Sequence, residues 1–357
     1  MNAARPNPAA DLAALLPASP DAYPQAIDLV RGLVLVIRMD ARGYLAASFL
    51  DDRILVPGTQ GTWLPGTAVS EAARRATGRK PLHFIFHSGH VGSTLLSRLL
   101  DATDAVLPLR EPLPLRTLAE AEAVLGRPES LLSQGQFDGQ LDTLLALWSR
   151  GYETTRAVVL KATSSAGHLA PAILARSPAS RAVCLNLRAE PYLATLLGGA
   201  NSAIDLRGHG PGRMRRLLAG RSLPVAPLHA LGRGELAALG WLVESLAQAD
   251  TAAEAGTRVL RLDFEAMLAD MRASLARVLA HFDLPHDEDA LAAISGSGAL
   301  RRYSKAPELP YSPDERASRL ALARRDERAE IAKGLAWLEV LARADAGIAD
   351  VVTAGLP

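Results

Sequence analysis

The chain of 357 residues has a single cysteine, Cys184, and only four lysines among its 39 basic residues. One cysteine cannot form an internal disulfide or a cysteine-based zinc site, which excludes a secreted disulfide scaffold. No uninterrupted apolar run reaches about 18 residues, so we expect no membrane span. The formal net charge is +1, whereas a general nucleic-acid binder carries a net basic surface. We therefore expect a soluble, cytoplasmic protein without nucleic-acid partners.

The N-terminal part of the chain shows little regular pattern. Residues 1–24 are rich in alanine and proline and predict a loose arm. Two β-rich runs follow, at 32–40 and 41–55, and the polar, glycine-containing stretch between them predicts a hairpin. Glycine and proline recur through 56–67, which predicts a loop. We expect residues 1–78 to form an arm and a small β-containing unit.

From residue 79 to 357, we expect one main domain, in which short apolar runs alternate with helical patterns. The predicted strands are 82–87, 105–109, 157–160, 181–187 and 257–262. The predicted helices are 92–101, 113–124, 129–150, 165–177, 190–199, 235–254, 264–282, 287–294 and 313–345. Alternating strands and helices indicate an α/β fold with a central parallel sheet covered on both faces. The last three helices are C-terminal additions to it.

Polar side chains gather where the predicted strands end. Ligands of parallel α/β sheets bind at the carboxyl ends of the strands. The groups that follow the five strands are the turn His87–Thr94, the pair Arg110 and Glu111, Lys161, Arg188, and the pair Asp263 and Glu265. We expect a binding site at this edge of the sheet.

The turn after the first of these strands has the pattern of an anion cradle. Gly89 and Gly92 let the backbone wrap closely around a ligand, and the helix that follows offers unpaired N–H groups and a partial positive charge. The turn is not a Walker A motif, because Ser93 stands where that motif has its lysine. An ordinary ATPase or GTPase is therefore disfavoured. A tight turn of small residues without any ligand remains an alternative.

Four segments together resemble the sulfotransferases that use 3′-phosphoadenylyl sulfate (PAPS). The string GHVGSTLL at 89–96 resembles the family motif P-[RK]-S-G-T-T-L-L, and Glu111 matches a glutamate about twenty residues further on. Residues 158–191 and 259–285 resemble two later family segments, so the likeness covers roughly 81–312. The chain looks similar to the bacterial branch and to the tyrosylprotein sulfotransferases.

This resemblance implies a P-loop-like three-layer domain that transfers a sulfonate from PAPS to a hydroxyl or amine acceptor, a small molecule or a peptide, without a metal. Glu111 would be the general base, while Lys161 and His90 would stabilise charge at the sulfonate. Arg188 would bind the 3′-phosphate. The residues implied to hold the rest of the nucleotide are Gly89, His90, Val91, Gly92, Ser93, Thr94, Thr195, Tyr303 and Lys305.

The sequence departs from the family pattern at three places. His90 replaces an arginine or lysine, and Val91 replaces a serine. The serine expected about eight residues after Arg188 falls on a leucine, and Thr195 is the hydroxyl residue that could substitute for it. Two alternatives therefore stay open. One is an ATP-dependent phosphotransferase with the same fold, and the other is a catalytically diverged protein that binds an anion or a partner.

Overall fold

A small antiparallel sheet opens the computed structural model, which describes residues 8–199, 202–298, 302–303, 306–310 and 313–355. Its strands lie in the order β1 (Ala22–Asp28), β2 (Leu33–Arg38) and β3 (Gly61–Pro65). The helices of this part are α1 (Pro8–Leu15), α2 (Ala41–Ala46) and α3 (Gly66–Arg74). The expected β-containing N-terminal unit is therefore present.

Three local predictions in this unit are wrong. The predicted loose arm contains α1 and the start of β1, and the predicted loop at 56–67 contains β3. The predicted hairpin after β2 is the helix α2, because the Asp40 side chain accepts a hydrogen bond of 2.7 Å from the Gly43 N–H and caps the helix start. β2 therefore pairs with β1 and β3 instead of with residues 41–55.

The central sheet has five parallel strands in the order β5-β6-β4-β7-β8. They are β4 (Leu82–His87), β5 (Val106–Arg110), β6 (Ala157–Lys161), β7 (Ala182–Asn186) and β8 (Val259–Asp263). All residues of β4, β5 and β6 are buried, as strands covered on both faces require. The chain runs from β4 to one side of the sheet and later returns to the other side. This switch places the expected ligand crevice at the carboxyl end of β4.

Helices cover both faces of this sheet, which confirms the predicted P-loop-like three-layer α/β fold. The helices between its strands are α4 (Ser93–Asp101), α5 (Leu113–Glu122), α6 (Gln134–Trp148), α7 (Ala170–Arg176), α8 (Ala189–Leu197), α9 (Ser202–Leu218) and α10 (Arg233–Ala255). A hydrophobic core lies between the sheet and the helices on each face. One of these cores contains Leu96 and Trp241, and the other contains Phe84 and Trp148.

The C-terminal region is mostly helical, as predicted. Its elements are α11 (Phe264–Ala269), α12 (Met271–His281), α13 (Glu288–Gly296), the hairpin of β9 (Arg302–Tyr303) and β10 (Ala306–Pro310), α14 (Pro313–Asp326), α15 (Arg328–Ala344) and α16 (Ala346–Gly355). In the part of the chain that the structure describes, we find no helix with both the length and the apolar character needed to cross a membrane.

Two buried arginines attach the N-terminal unit to the central sheet. Arg110, at the end of β5, donates to the carbonyl oxygens of Tyr44 at 3.1 Å and Ala47 at 2.8 Å. Arg150 donates to the carbonyl oxygen of Ala22 at 2.9 Å. The unit also shares the core of Phe84, to which it contributes Tyr23 and Tyr44 among others. These contacts fix the N-terminal unit beside β5, close to the expected ligand crevice.

Candidate functional site

The turn after β4 has an unusual backbone conformation. Gly89, His90 and Gly92 all have positive φ, at +91°, +56° and +74°. At Gly92 a side chain is sterically blocked, since a Cβ atom would lie 2.6 Å from Cδ2 and 2.7 Å from Cζ of Phe264 and closer still to Cε2. His90 is exposed at the tip of the turn, while the Val91 side chain is fully buried. Only the backbone of Val91 can therefore face a ligand.

The turn leads into the N-terminus of α4 without a side-chain cap. Gly92 is the N-cap residue, so no side chain occupies the first N–H groups of the helix. The hydroxyl oxygens of Ser88 and Thr94 are buried and have no hydrogen-bond partner in the described structure. Buried polar groups in native proteins are nearly always hydrogen-bonded. Ser93, the first residue of α4, is also buried. These donors fit an anion at a helix N-terminus.

His87 connects this turn to the neighbouring strand. Its Nδ1 accepts a hydrogen bond of 3.1 Å from the Gly89 N–H, so its Nε2 carries the proton and donates to the Ala162 carbonyl oxygen at 2.9 Å. The same Nε2 lies 4.0 Å from Oε1 of Glu111. The sequence analysis placed this histidine at the start of the turn and gave it no catalytic or binding role. Its position as the last residue of a buried apolar strand was the available signal.

Glu111 and Lys161 form an ion pair at the ends of the adjacent strands β5 and β6. The Lys161 side chain is fully buried and its ammonium group donates to Oε1 of Glu111, whose side chain is about one fifth exposed. Glu111 has a φ of +52°, and its N–H donates to the Lys161 carbonyl oxygen at 2.7 Å. A non-glycine residue held in this region is strained, and such residues cluster at functional sites.

Two arginines surround Glu265 near the ends of β7 and β8. Nη2 of Arg188 lies 3.7 Å from one oxygen of Glu265, and Nη2 of Arg316 lies 3.9 Å from the other. The Arg316 guanidinium also stacks 5.0 Å from the ring centroid of Phe264, the ring that contacts Gly92. Arg316 belongs to α14, far along the chain, and no sequence pattern marked it. Arg188 is nearly half exposed and is therefore accessible to a ligand.

The remaining predicted site residues are Thr195, Tyr303 and Lys305. Thr195 lies seven residues beyond Arg188 on α8, and its hydroxyl donates to the Pro191 carbonyl oxygen at 2.7 Å, so its proton is used within its own helix. Tyr303 lies in β9, and Lys305 lies outside the described residues. Among the described residues, no group of three or more His, Cys, Asp and Glu side chains could hold a metal ion.

The site is thus a row of groups along the carboxyl edge of the sheet. The ion pair of Glu111 and Lys161 lies at the ends of β5 and β6, on one side of the turn after β4. Arg188 lies after β7, on the other side of that turn. Neighbouring strands are about 4.8 Å apart, so the row spans about 15–20 Å. An anion bound in the turn would have a cation on each side and a carboxylate within a short reach. This arrangement suits transfer of a charged group to an acceptor that loses a proton.

No protein-family model matches this chain, and no curated protein matches it either. Among solved structures, it is similar to a sulfotransferase from Mycobacterium avium, with 13% identity, coverage of 91% of this chain and 98% of that chain, and a TM-score of 0.38. A sulfotransferase from Mycobacterium tuberculosis gives 16% identity, 74% and 82% coverage and a TM-score of 0.38. One from Alicyclobacillus acidocaldarius gives 15%, 74% and 97%, and 0.36.

Proposed function

We propose that this protein is a sulfotransferase that moves a sulfonate group from PAPS to a hydroxyl or amine acceptor. The observation that carries the proposal is the ion pair of Glu111 and Lys161 beside the glycine turn. A carboxylate is available to take a proton, a buried ammonium group to neutralise charge, and the turn to bind the transferred anion. The sequence resemblance to PAPS-dependent and tyrosylprotein sulfotransferases supports this assignment, because the same residues carry it.

The residues present fit PAPS. The unpartnered hydroxyls of Ser88 and Thr94 can donate to phosphate oxygens, and the backbone from Gly89 to Thr94 can wrap around the phosphosulfate because no side chain fills the turn at Gly92. Arg188 would hold the 3′-phosphate, since a guanidinium can bind two oxygens at once. His90, at the exposed tip of the turn, would donate a further hydrogen bond to the sulfonate.

In the proposed reaction the acceptor oxygen forms a bond to sulfur while the bond between sulfur and the bridging phosphate oxygen breaks. The bonding electron pair stays on the phosphate, and the acceptor proton goes to the Glu111 carboxylate. Lys161 neutralises the charge that develops on the bridging oxygen. Fixed donors and charges of this kind are often the largest single contribution to catalysis.

Lys161 must change partners for Glu111 to act as a base. In the free protein the Lys161 ammonium group is bound to Oε1 of Glu111. When the phosphosulfate lies in the turn, Lys161 can turn from Glu111 to the ligand oxygens one strand away. Nucleotide binding thereby frees the carboxylate for the acceptor.

Calorimetry with adenosine 3′,5′-bisphosphate and adenosine 5′-monophosphate tests the proposal. We expect a clear preference for the bisphosphate that Arg188→Ala removes. Arg343→Ala is the matched control, because that side chain is exposed on α15 and pairs with Glu339, far from the turn in the sequence. Equal or absent binding of the two nucleotides to the unmodified protein would overturn the assignment. Turnover of ATP with Mg²⁺, without turnover of PAPS, would decide for the phosphotransferase alternative.

A further inference from the structure

We propose that Glu265 is an internal competitor of the nucleotide: its carboxylate lies between Arg188 and Arg316 until a phosphate group of the ligand displaces it. This inference rests on the proposed function. Nη2 of Arg188 lies 3.7 Å from Oε2 of Glu265, and Nη2 of Arg316 lies 3.9 Å from Oε1. Each oxygen of the carboxylate therefore faces one guanidinium group.

Both contacts of Glu265 are longer than hydrogen bonds. Charge-assisted N–H···O bonds measure about 2.7–2.9 Å, so this carboxylate attracts the two arginines by its charge alone. Nη2 of Arg316 is buried and has no hydrogen-bond partner among the described residues. Buried polar groups in native proteins are nearly always hydrogen-bonded. The unused donor therefore indicates a ligand group that approaches Arg316 more closely than Glu265 does.

Arg316 lies one aromatic ring away from the glycine turn. Its guanidinium carbon is 5.0 Å from the ring centroid of Phe264, the same ring that a Cβ atom at Gly92 would meet. Arg188 follows β7 and is the N-cap residue of α8. The two arginines thus come from distant parts of the chain to the side of the turn at which the 3′-phosphate is proposed to bind.

A second ion pair holds α14, the helix that carries Arg316, against α8. Arg324 of α14 donates to the two oxygens of Glu190 at 2.9 and 2.7 Å, and Glu190 lies in the first turn of α8. The pKa of Arg324 is raised, chiefly by these hydrogen bonds and to a smaller extent by the charges of Glu190 and Glu265. The helix therefore keeps a strong attachment that does not depend on Glu265.

The charges of this group favour a phosphate over the carboxylate. Three arginines (Arg188, Arg316 and Arg324) and two glutamates (Glu190 and Glu265) give three positive and two negative charges, a net charge of +1. A phosphate monoester carries a charge of about −1.5 to −2 and three acceptor oxygens, so it can form hydrogen bonds with both guanidinium groups at once. Glu265 is partly exposed and can turn towards solvent when the phosphate binds.

An internal competitor affects the product as well as the donor. The fraction of molecules in which Glu265 has left the arginines sets the apparent affinity of any ligand that needs both of them. When the bisphosphate product begins to leave, the carboxylate returns and neutralises the two guanidinium groups. Glu265 thereby weakens product binding and keeps the site open for the next donor.

Calorimetry with adenosine 3′,5′-bisphosphate and adenosine 5′-monophosphate tests this inference on the full chain. We expect Glu265→Gln to bind the bisphosphate about five-fold more tightly and the monophosphate with unchanged affinity. Arg316→Met keeps an apolar stem over the Phe264 ring and should weaken bisphosphate binding about ten-fold. In that background the gain from Glu265→Gln should be smaller, because only Arg188 remains to be released.

Glu71→Gln is the matched control for the change in charge. Glu71 is an exposed glutamate of α3 that also lies beside two arginines, Arg74 and Arg75. Its replacement changes the net charge of the protein by the same amount, and we expect an unchanged affinity for the bisphosphate. An equal gain from Glu71→Gln would show a general effect of net charge and would overturn the inference.

Unchanged or weaker bisphosphate binding by Glu265→Gln would also overturn it, as would an equal gain from this substitution with and without Arg316. A lower unfolding temperature without a gain in affinity would show that Glu265 only fastens α14. The proposed function fails separately. If the unmodified protein binds both nucleotides equally, while Glu265→Gln and not Glu71→Gln tightens the binding of both, the internal competitor stands and the assignment to PAPS falls.

Discussion

Gly92→Ala should destabilise the folded protein by about 2–5 kcal/mol, the sum of two separate effects. Gly92 has a φ of +74°, where a residue with a Cβ atom costs about 1–2 kcal/mol. The new Cβ would also lie 2.6 Å from Cδ2 and 2.7 Å from Cζ of Phe264. Forcing extra atoms into a packed site costs about 1–3 kcal/mol. The glycine turn after β4 is thus shaped by the Phe264 ring, which lies at the end of β8.

Urea unfolding of three variants separates these two effects. Gly126→Ala is the matched control, because Gly126 has the same φ of +74° and a Cβ atom added there would meet no atom of the described residues within 4 Å. It should lose only the backbone part, about 1–2 kcal/mol. In a Phe264→Ala background the steric part disappears, so the cost of Gly92→Ala should fall by about 1–3 kcal/mol. A Gly92→Ala variant no less stable than Gly126→Ala would refute the reasoning, as would an unchanged cost without the ring.

Three further predictions concern the Thr94 hydroxyl, the proposed base Glu111 and the pH dependence of the free energy of unfolding. Thr94→Val should leave the free protein about as stable, because the replaced hydroxyl has no partner among the described residues, yet weaken bisphosphate binding about ten-fold; unchanged affinity would contradict its role in the turn. Glu111→Gln should lower sulfonate transfer from PAPS to a hydroxyl acceptor about 10²–10⁴-fold with bisphosphate affinity retained, and near-normal turnover would rule Glu111 out as the base. Burial lowers the pKa of His83 from 6.5 to about 4. The unfolded chain therefore binds this proton below about pH 6.5 and the folded chain only below about pH 4. As the pH is lowered through that window, the free energy of unfolding decreases by about 1.4 kcal/mol per pH unit. His83→Asn should make urea unfolding less dependent on pH there, and an unchanged slope would count against His83.

The sequence allowed the fold to be predicted where burial is continuous. The strand Leu82–His87 has the predicted bounds, because six consecutive buried residues leave an apolar run between turn signals. The other four strands of the sheet were found to within one or two residues. In the N-terminal unit the same reasoning failed, because Asp40 caps a helix in a β-rich segment and local capping outweighed residue preference.

The candidate site could be predicted only in part, for a physical reason. Glu111 and Lys161 each follow a strand, and parallel strands place their carboxyl ends along one edge, so both were expected at that edge. Their direct pairing depends on β5 and β6 being neighbours, which the sequence does not specify. Arg316 approaches the site from α14, an element distant along the chain. Contacts of this kind follow from packing and leave no local pattern.

On the proposed function, the position of the lysine has a chemical consequence. A buried charge without a partner is costly, and removing one member of a buried pair destabilises by about 3–5 kcal/mol. Lys161 is paired with Glu111 in the structure, and on the proposed function it would pair with the phosphosulfate when that ligand binds, so its charge would stay paired throughout. An arginine at this position would hold the carboxylate with two hydrogen bonds and keep the base occupied. In a chain whose basic residues are otherwise almost all arginine, a lysine beside the turn would, on the proposed function, make proton removal depend on nucleotide binding, so that the acceptor would be activated only when the donor is in place.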